Sequence, residues 1–172
     1  MSIVYYPEES LSTPCEKVDF NKTSKEELLQ LYDRLYKNMI DFEGIGIAAN
    51  QIGETYQACL IYSQNVKDNF LFLLNPEIIR HGKDKVQYNE GCLSFPSINI
   101  EKSRHKIVTV KYQDIDGIEQ EIVLKGIDSV CIQHEIDHLN GVTFIDDLSN
   151  EEKDEIQFKI KNFIDKKRNL KI

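Results

Sequence analysis

Two histidines and a glutamate in the sequence Q-H-E-I-D-H have the types and spacing of a metal site. His134 and His138 stand four residues apart, so a helix would carry both imidazoles on one face, one turn apart. Glu135 follows the first histidine, where such a site holds its general base. Packing alone explains the pair poorly, because neutral imidazoles on a buried helix are costly unless each has a partner. A metal ion would need at least one further ligand.

The third ligand has three conceivable sources in the chain. Some zinc proteases continue the motif with another histidine, but the matching position here is Phe144, whose side chain cannot bind a metal. The second source is a glutamate after the motif, although this segment is patterned as an amphipathic helix with its charges facing solvent (Glu151, Glu152, Glu155). The third source is a cysteine from elsewhere in the chain.

Cys92 is the strongest of the four cysteines as that ligand. It lies in E-G-C-L-S-F-P, between a glycine and a proline, where the backbone is irregular. Cys131 shares a helical face with His134 but lies on the side away from His138, which favours its interpretation as a small buried hydrophobic residue. The other two cysteines are predicted to be structural (Cys15, Cys59).

A site made of Cys92 and the two histidines would leave one tetrahedral position open, which is typical of catalytic rather than structural centres. Glu135 would lean toward that position and could carry a proton from a water molecule to a leaving group. A thiolate ligand suits zinc or iron(II), and ligand types alone do not distinguish these metals.

A second chemical feature is the stretch G-I-G-I-A-A-N-Q at residues 44–51. Its glycines and alanines allow the backbone to approach another group closely. It is not a phosphate-binding loop, because Ala49 stands where a third glycine is needed and no strand precedes it. A glycine-terminated helix followed by a tight loop is the simpler interpretation. On the functional interpretation, Gln51 offers its amide NH2 to a developing oxyanion.

Three helices are predicted around these motifs. The first runs from Ser24 to about Phe42 and starts at a capping box (Thr23 with Glu26, or Ser24 with Glu27). The motif helix should begin near Asp128 and end at Gly141, and it should be buried because it is apolar on both sides. A C-terminal helix is expected within 149–172, with its own capping box (Ser149 with Glu152).

Strands are predicted over 57–62 and 70–74, with Pro76 ending the second, and a hairpin over 107–113 and 118–124. We therefore expect an α+β fold. Antiparallel sheets should pack around a central buried helix that carries HExxH, with an N-terminal helix and a C-terminal helix beside them.

Composition predicts a single domain over residues 1–172. The net charge of −8 argues against non-specific binding to DNA, and no apolar run of about 18 residues that could enter a membrane occurs. The N-terminus lacks the pattern of a signal peptide, and the cysteines show no CxxC spacing. A cytoplasmic protein without disulfide bonds is the expectation, with organellar or phage-encoded origins also compatible.

Taken together, G-I-G-I-A-A-N-Q, E-G-C-L-S and Q-H-E-I-D-H resemble the three signature motifs of the peptide deformylases, in the order of that family. The resemblance implies that Cys92, His134 and His138 bind one divalent metal, natively Fe2+ in much of the family, with Zn2+, Ni2+ or Co2+ able to occupy the site. It also implies that Glu135 is the general acid/base. Gln51 and the backbone N–H of Leu93 would stabilise the oxyanion (catalytic residues Glu135, Gln51, Leu93).

The same resemblance assigns a substrate, which spacing alone does not supply. The reaction would remove the N-formyl group from formyl-methionine at the start of new peptides and release formate. Gly46 and Gly91 would pair with the extended peptide, and Ile45 would help line the methionine pocket. An HExxH peptidase that cuts internal peptide bonds is the alternative, and a non-catalytic peptide-binding relative is a third class.

Two further hypotheses concern charged residues. Asp137 and Arg104 are expected to form a buried pair that braces the motif helix. From Lys153 to Ile172 there are seven basic and three acidic residues in a chain that is acidic overall. This pattern fits a solvated helix face, or a helix that docks on ribosomal RNA near emerging peptides, as in some relatives.

Overall fold

The computed structural model describes residues 3–169, and within that range three α-helices and seven strands form an α+β fold. The helices are α1 (Lys25–Asp41), α2 (Ile127–Leu139) and α3 (Asn150–Asn169). The strands are β1 (Gly46–Ala48), β2 (Ala58–Tyr62), β3 (Phe70–His81), β4 (Lys85–Cys92), β5 (Phe95–His105), β6 (Ile107–Gln113) and β7 (Glu119–Lys125).

Five of these strands form one antiparallel sheet in the order β1-β2-β3-β6-β7, while β4 and β5 form a separate hairpin. Helix α2 contacts both, since it packs against β1, β2 and β7 of the sheet and against β5 of the hairpin. All of its residues except Ile127 and Asp137 are buried. The prediction of antiparallel sheets around a central buried helix is confirmed.

Residues that alternate along the strands divide the core between the two faces of the large sheet. Leu60 and Leu74 pack on the face that α1 covers with leucines and a methionine (Leu28, Leu31, Leu35, Met39). Ile61 and Leu73 point to the opposite face, where α2 supplies three apolar residues (Ile132, Ile136, Leu139). This alternation is the expected consequence of a pleat with a period of two residues. Helix α2 is therefore fixed against a rigid sheet.

The prediction that a strand ends before Pro76 is wrong, because β3 continues to His81. Asn75 has a φ of 52°, and the register with β6 shifts between Leu74 and Glu77. Such a bulge leaves a residue without its ladder hydrogen bond, which is the position where a strand tolerates proline. The β4–β5 hairpin and β1 were not predicted. The alternating runs of the hairpin, K-V-Q-Y-N and S-I-N-I-E, contain only two apolar residues each, and β1 is three residues long.

The other predicted elements agree with the structure to within a few residues. Ser24 and Glu27 form the capping box of α1, which selects between the two expected pairs. Ser149 and Glu152 exchange hydrogen bonds of 2.8 and 3.2 Å at the start of α3. The last three residues of the predicted C-terminal helix, 170–172, lie outside the described range. Within residues 3–169, no helix is both long and apolar enough to cross a membrane.

Candidate metal centre

The three predicted ligands meet at one point between the hairpin and α2. Cys92 Sγ lies 3.1 Å from His138 Nε2, which lies 3.2 Å from His134 Nε2. All three ligand atoms are within 4.8 Å of one another. Cys92 is the last residue of β4, and one helical turn separates the two histidines on α2. The structure thus brings together the sulfur of a cysteine and two imidazoles that come from distant parts of the sequence.

The spacing of the two histidine nitrogens fits a bound metal ion. Two nitrogens bound to one tetrahedral ion at about 2.0–2.1 Å lie about 3.3 Å apart, close to the observed separation of the histidine nitrogens. Both histidines are buried. Two imidazole nitrogens and a sulfur that point at one another in a buried space need a cation or shared protons between them. A borderline-soft divalent ion suits this donor set.

A chain of charged side chains holds His134 from behind. Its Nδ1 lies 2.9 Å from Glu90 Oε2. Arg104 donates to both oxygens of Glu90 at 2.6 and 3.0 Å and to Asp137 at 2.5 Å. The expected Arg104–Asp137 pair is therefore present, with Arg104 buried and Asp137 partly exposed. Glu90 was missed as a functional residue, although it is the first letter of E-G-C-L-S.

The charges of His134 and Arg104 beside it fix the protonation state of Glu90. Burial alone would raise the pKa of its carboxyl, but the hydrogen bonds from His134 and Arg104 outweigh burial and hold the pKa at about 2. Burial likewise opposes the charge on Arg104, yet Glu90 and Asp137 raise the pKa of its guanidinium above the ordinary value. An ionised Glu90 accepts the Nδ1 proton of His134, which leaves the Nε2 lone pair directed at the metal position.

Glu135 is buried beside the ligands, on the wall of the same cavity. Burial, together with the nearby carboxylate of Glu90, raises the pKa of Glu135 to about 7, while His134 and Arg104 act in the opposite direction. Among residues 3–169, no group hydrogen-bonds to its Oε2. A Cβ on Gly46 would overlap both Glu135 Oε1 and Cys131 Sγ, so glycine is the residue that fits there. Gly46 thus leaves room for the Glu135 carboxyl.

Gln51 is oriented toward the ligands by its own hydrogen bonds. Its Oε1 accepts from the Ala48 N–H at 2.9 Å, and its Nε2 donates to Ser94 Oγ at 3.2 Å and to Cys92 Sγ at 3.3 Å. Leu93 follows Cys92 in the two-residue turn of the hairpin, where the first N–H is not used by the turn itself. Both predicted oxyanion donors therefore lie next to the cysteine ligand.

Asn50, the neighbour of Gln51, was not predicted to have a role. Its Nδ2 donates to the carbonyl oxygen of His138 at 2.6 Å and so holds the last turn of α2. The sequence gives one indication of this role, because Asn50 lies among small apolar residues, and an amide that becomes buried there needs a hydrogen-bond partner.

A cavity of about 460 Å³ opens beside the metal centre. Its lining includes residues 44–46 at and before the free edge of β1, and Gly91 and Cys92 of β4. Ile45 is 47% exposed and lines this cavity. Further apolar lining comes from the hairpin and α2 (Tyr88, Ile127, Val130, Cys131) and from three aromatic residues on other segments (Tyr5, Phe42, Phe163). The cavity has the form of a cleft between two strand edges, with an apolar part near the metal helix.

The rival ligands have other roles in the structure. Phe144 packs edge-on against the His134 ring, with ring centroids 5.7 Å apart. Glu152 caps α3. Cys131 is buried outside the ligand cluster, and burial raises the pKa of its thiol well above the ordinary value. Cys15 and Cys59 are also buried, and all four cysteines are free thiols.

Comparison with known proteins identifies the relatives of this chain. A sequence model of the polypeptide deformylase family matches residues 1–154. A peptide deformylase of Aquifex aeolicus is 41% identical over 150 residues, which cover 85% of this chain and 86% of the relative. The crystal structure of peptide deformylase from Plasmodium falciparum superposes with a TM-score of 0.82 at 31% identity, covering 98% of each chain.

A Met-Ala-Ser-bound peptide deformylase from Acinetobacter baumannii superposes with a TM-score of 0.79 at 30% identity, covering 84% of this chain and 96% of the other.

Proposed function

The chain belongs to the peptide deformylase family, whose members remove the N-formyl group from N-formyl-methionyl peptides by metal-dependent hydrolysis, and we propose which of its residues carry out that reaction. The proposal rests on one observation. The side chains of Cys92, His134 and His138 lie together, and Glu135 and Gln51 lie beside them. The activity of the family is a hydrolase step in protein biosynthesis, at the N-terminus of new chains.

We propose that Cys92, His134 and His138 hold one divalent metal ion. When bound, the ion supplies Lewis acidity, which makes a formyl carbonyl more electrophilic and a water molecule more acidic. Among the metals that suit one thiolate and two imidazoles, we propose Fe2+ as the native ion, because the family motifs point to it. Metal analysis of protein purified without oxygen tests this choice, and zinc as the predominant metal under those conditions would contradict it.

Glu135 is the proposed general acid/base. Its carboxylate takes a proton from the attacking water and gives it to the nitrogen that leaves, so that the amide and water become formate and a free amine. The support is its burial beside the ligands and an Oε2 that no group among residues 3–169 occupies. The room that Gly46 leaves keeps this carboxyl directed into the cleft.

Gln51 and the Leu93 N–H are the proposed oxyanion donors. Because Ala48 fixes the amide oxygen of Gln51, its NH2 group is already oriented toward the centre before a substrate arrives. We propose that Gly46 and Gly91 pair through their backbones with an extended peptide that lies between β1 and β4. Ile45 would cover the methionine side chain. The Met-Ala-Ser peptide bound to the Acinetobacter baumannii relative is of the length and type that such a cleft would hold.

Formate release from a formyl-Met peptide tests these assignments. Protein purified without oxygen should release formate, whereas Glu135→Ala should keep its metal and lose about 10²–10⁴-fold in turnover. Glu155→Ala, an exposed glutamate on α3, is the matched control and should retain full activity. Full activity in the Glu135→Ala protein, or the same loss in Glu155→Ala, would contradict the mechanism.

We also propose that residues 1–172 act as one catalytic domain in the cytoplasm. A separate proposal is that the basic part of α3 docks on ribosomal RNA. Support comes from the seven basic residues between Lys153 and Ile172. Co-sedimentation with ribosomes that weakens as salt rises is the expected result. Failure to co-sediment at any salt concentration would exclude docking without affecting the assignment of the catalytic residues.

A further inference from the structure

The C-terminal helix reaches the mouth of the cleft. Phe163 and Lys167 of α3 line the same cavity as Cys92 and Glu135. The two residues are four apart, so they share one face of the helix. Phe163 also packs edge-on against Tyr5, which lines the cavity too, with ring centroids 6.1 Å apart. One face of α3 is therefore part of the cleft, although α3 carries none of the residues assigned to the chemistry.

Two aromatic rings hold the ammonium group of Lys167. Its Nζ lies 5.1 Å from the ring centroid of Phe42 and 5.5 Å from that of Phe163. Both distances are within the range of a cation–π contact. Phe42 precedes Gly44 by two residues, so this contact joins α3 to the strand edge where a peptide would pair. These contacts place the charge of Lys167, an exposed residue, at the mouth of the cleft, which we call the rim.

The rim is otherwise poor in positive charge. Among the described residues that line the cavity, Lys167 is the one lysine or arginine. No carboxylate within residues 3–169 forms an ion pair with it, and Glu43, which lines the same rim, is not within 4.0 Å. With a net charge of −8, the chain as a whole attracts basic peptides rather than acidic ones. A cation held at the mouth therefore acts against the general field.

We propose that Lys167 is a specificity-determining residue that favours acidic side chains downstream of the formyl-methionine. The proposal rests on the proposed function, in which the formyl group lies at the metal end and the peptide leaves over the rim. An aspartate two residues after the start would bring its carboxylate toward the ammonium group that the two rings place at the cleft. The ion pair would have the strength of other exposed ion pairs.

Peptide amides that differ only in charge test the proposal. The quantity measured is kcat/KM for formyl-Met-Ala-Asp-amide divided by kcat/KM for formyl-Met-Ala-Lys-amide, together with the same ratio for peptides charged at the second residue. Amidation removes the terminal carboxylate, so that Lys167 meets only the side chain. Lys167→Gln should lower the ratio at one or both positions by about threefold, the size expected for an exposed ion pair.

Lys166→Gln is the matched control, because it removes the same charge from the adjacent residue of α3, which does not line the cavity. Its ratio should stay at the wild-type value. Glu43→Gln removes the opposite charge from the rim and should raise the ratio. The shift caused by Lys167→Gln should also shrink at about 0.5 M salt, as charges become screened.

Equal ratios in the wild-type, Lys167→Gln and Lys166→Gln proteins would overturn the proposal. Equal shifts in the two lysine variants would overturn it as well, since they would reflect net charge alone. The neutral peptide formyl-Met-Ala-Ala-amide separates this result from the catalytic assignment. If the wild-type protein failed to release formate from it, the proposed function itself would fail.

Discussion

Helices α2 and α3 are both positioned at the cleft, but they are held in opposite ways. Helix α2 is buried on all sides, and only Ile127 and Asp137 have side chains with substantial exposure to solvent. In α3, the described residues that are buried are Ile156 and Ile160. The helix that carries two of the three proposed metal ligands is thus fixed by surrounding side chains, whereas the helix at the rim is attached by one narrow apolar stripe.

The polar residues of α2 show what this difference implies. Asp128 accepts from Ser63 at 2.5 Å, Gln133 donates to the His105 carbonyl at 2.9 Å, and His134 is held by Glu90. These three buried groups have partners on other elements, because an unpaired one would be costly. Glu135 Oε2 and His138 Nδ1 are the exceptions on α2, with no hydrogen-bond partner among residues 3–169. The partners that satisfy these groups also fix their orientation. Chemistry is therefore assigned to the helix that has the least freedom to move.

Arg104→Ala should produce the largest effect. It would leave Glu90 and Asp137 without their cation, and breaking a buried ion pair in this way costs about 3–5 kcal/mol of stability. It should also weaken metal binding about 10–100-fold, because His134 loses its oriented partner. Thermal unfolding and metal content measure the two effects.

Lys102→Ala is the control for that prediction. Lys102 lies on the same strand and pairs with Asp147, whose side chain is 74% exposed. The loss there should be about 1 kcal/mol or less. If Arg104→Ala left both the unfolding temperature and the metal content unchanged, α2 would not be braced by this pair.

Gly46→Ala should come next, through displacement of Glu135. The added Cβ would overlap Glu135 and Cys131, so the carboxyl must shift, and kcat/KM should fall about 100-fold. Gly82→Ala is the control, since its Cβ would meet its nearest neighbour at 3.5 Å, an ordinary contact. Steady-state formate release measures both. Equal activity in the two variants would show that the position of the Glu135 carboxyl is not critical.

Ile160→Ala should have the smallest effect and one confined to α3. Removing this buried side chain should cost about 2 kcal/mol of stability, at the low end for core substitutions because the site is at the edge of the fold. Metal content and kcat should not change. Phe158→Ala, at a residue that is 65% exposed, should alter stability by no more than about 0.5 kcal/mol. If the Ile160→Ala protein lost its metal, the metal site would depend on α3 as well as on α2, and the contrast between the two helices would not hold.

The sequence allowed the chemical residues to be predicted better than the elements that hold them. The spacing of His134 and His138 on a helix is a local property, and Cys92 was distinguished by its glycine and proline neighbours. The β4–β5 hairpin was missed although K-V-Q-Y-N and S-I-N-I-E alternate polar and apolar residues, because each run contains only two apolar residues. Glu90 was missed because its partners Arg104 and His134 are distant in the chain.

Pro76 gives a different reason for a wrong prediction. Proline usually ends a strand because it lacks a backbone donor, and that rule was applied to the sequence. Here Asn75 adopts a positive φ and hydrogen-bonds to Val18 and Gln113, so the bulge is stabilised by its side chain. No local pattern indicates that such partners exist. Tertiary contacts therefore overrode a sound local rule.

The position of Cys92 on a hairpin outside the main sheet also constrains how the chain acquires its metal. Cys92 and His138 are separated by 46 residues, and Gln51 and Cys92 by 41. Closing loops of this length costs entropy that must be met before the contacts they enable can form. A chain in which the hairpin is not docked on α2 would contain both histidines without Cys92 beside them. With the proposed ligand set, metal affinity should therefore depend on the docking of the hairpin.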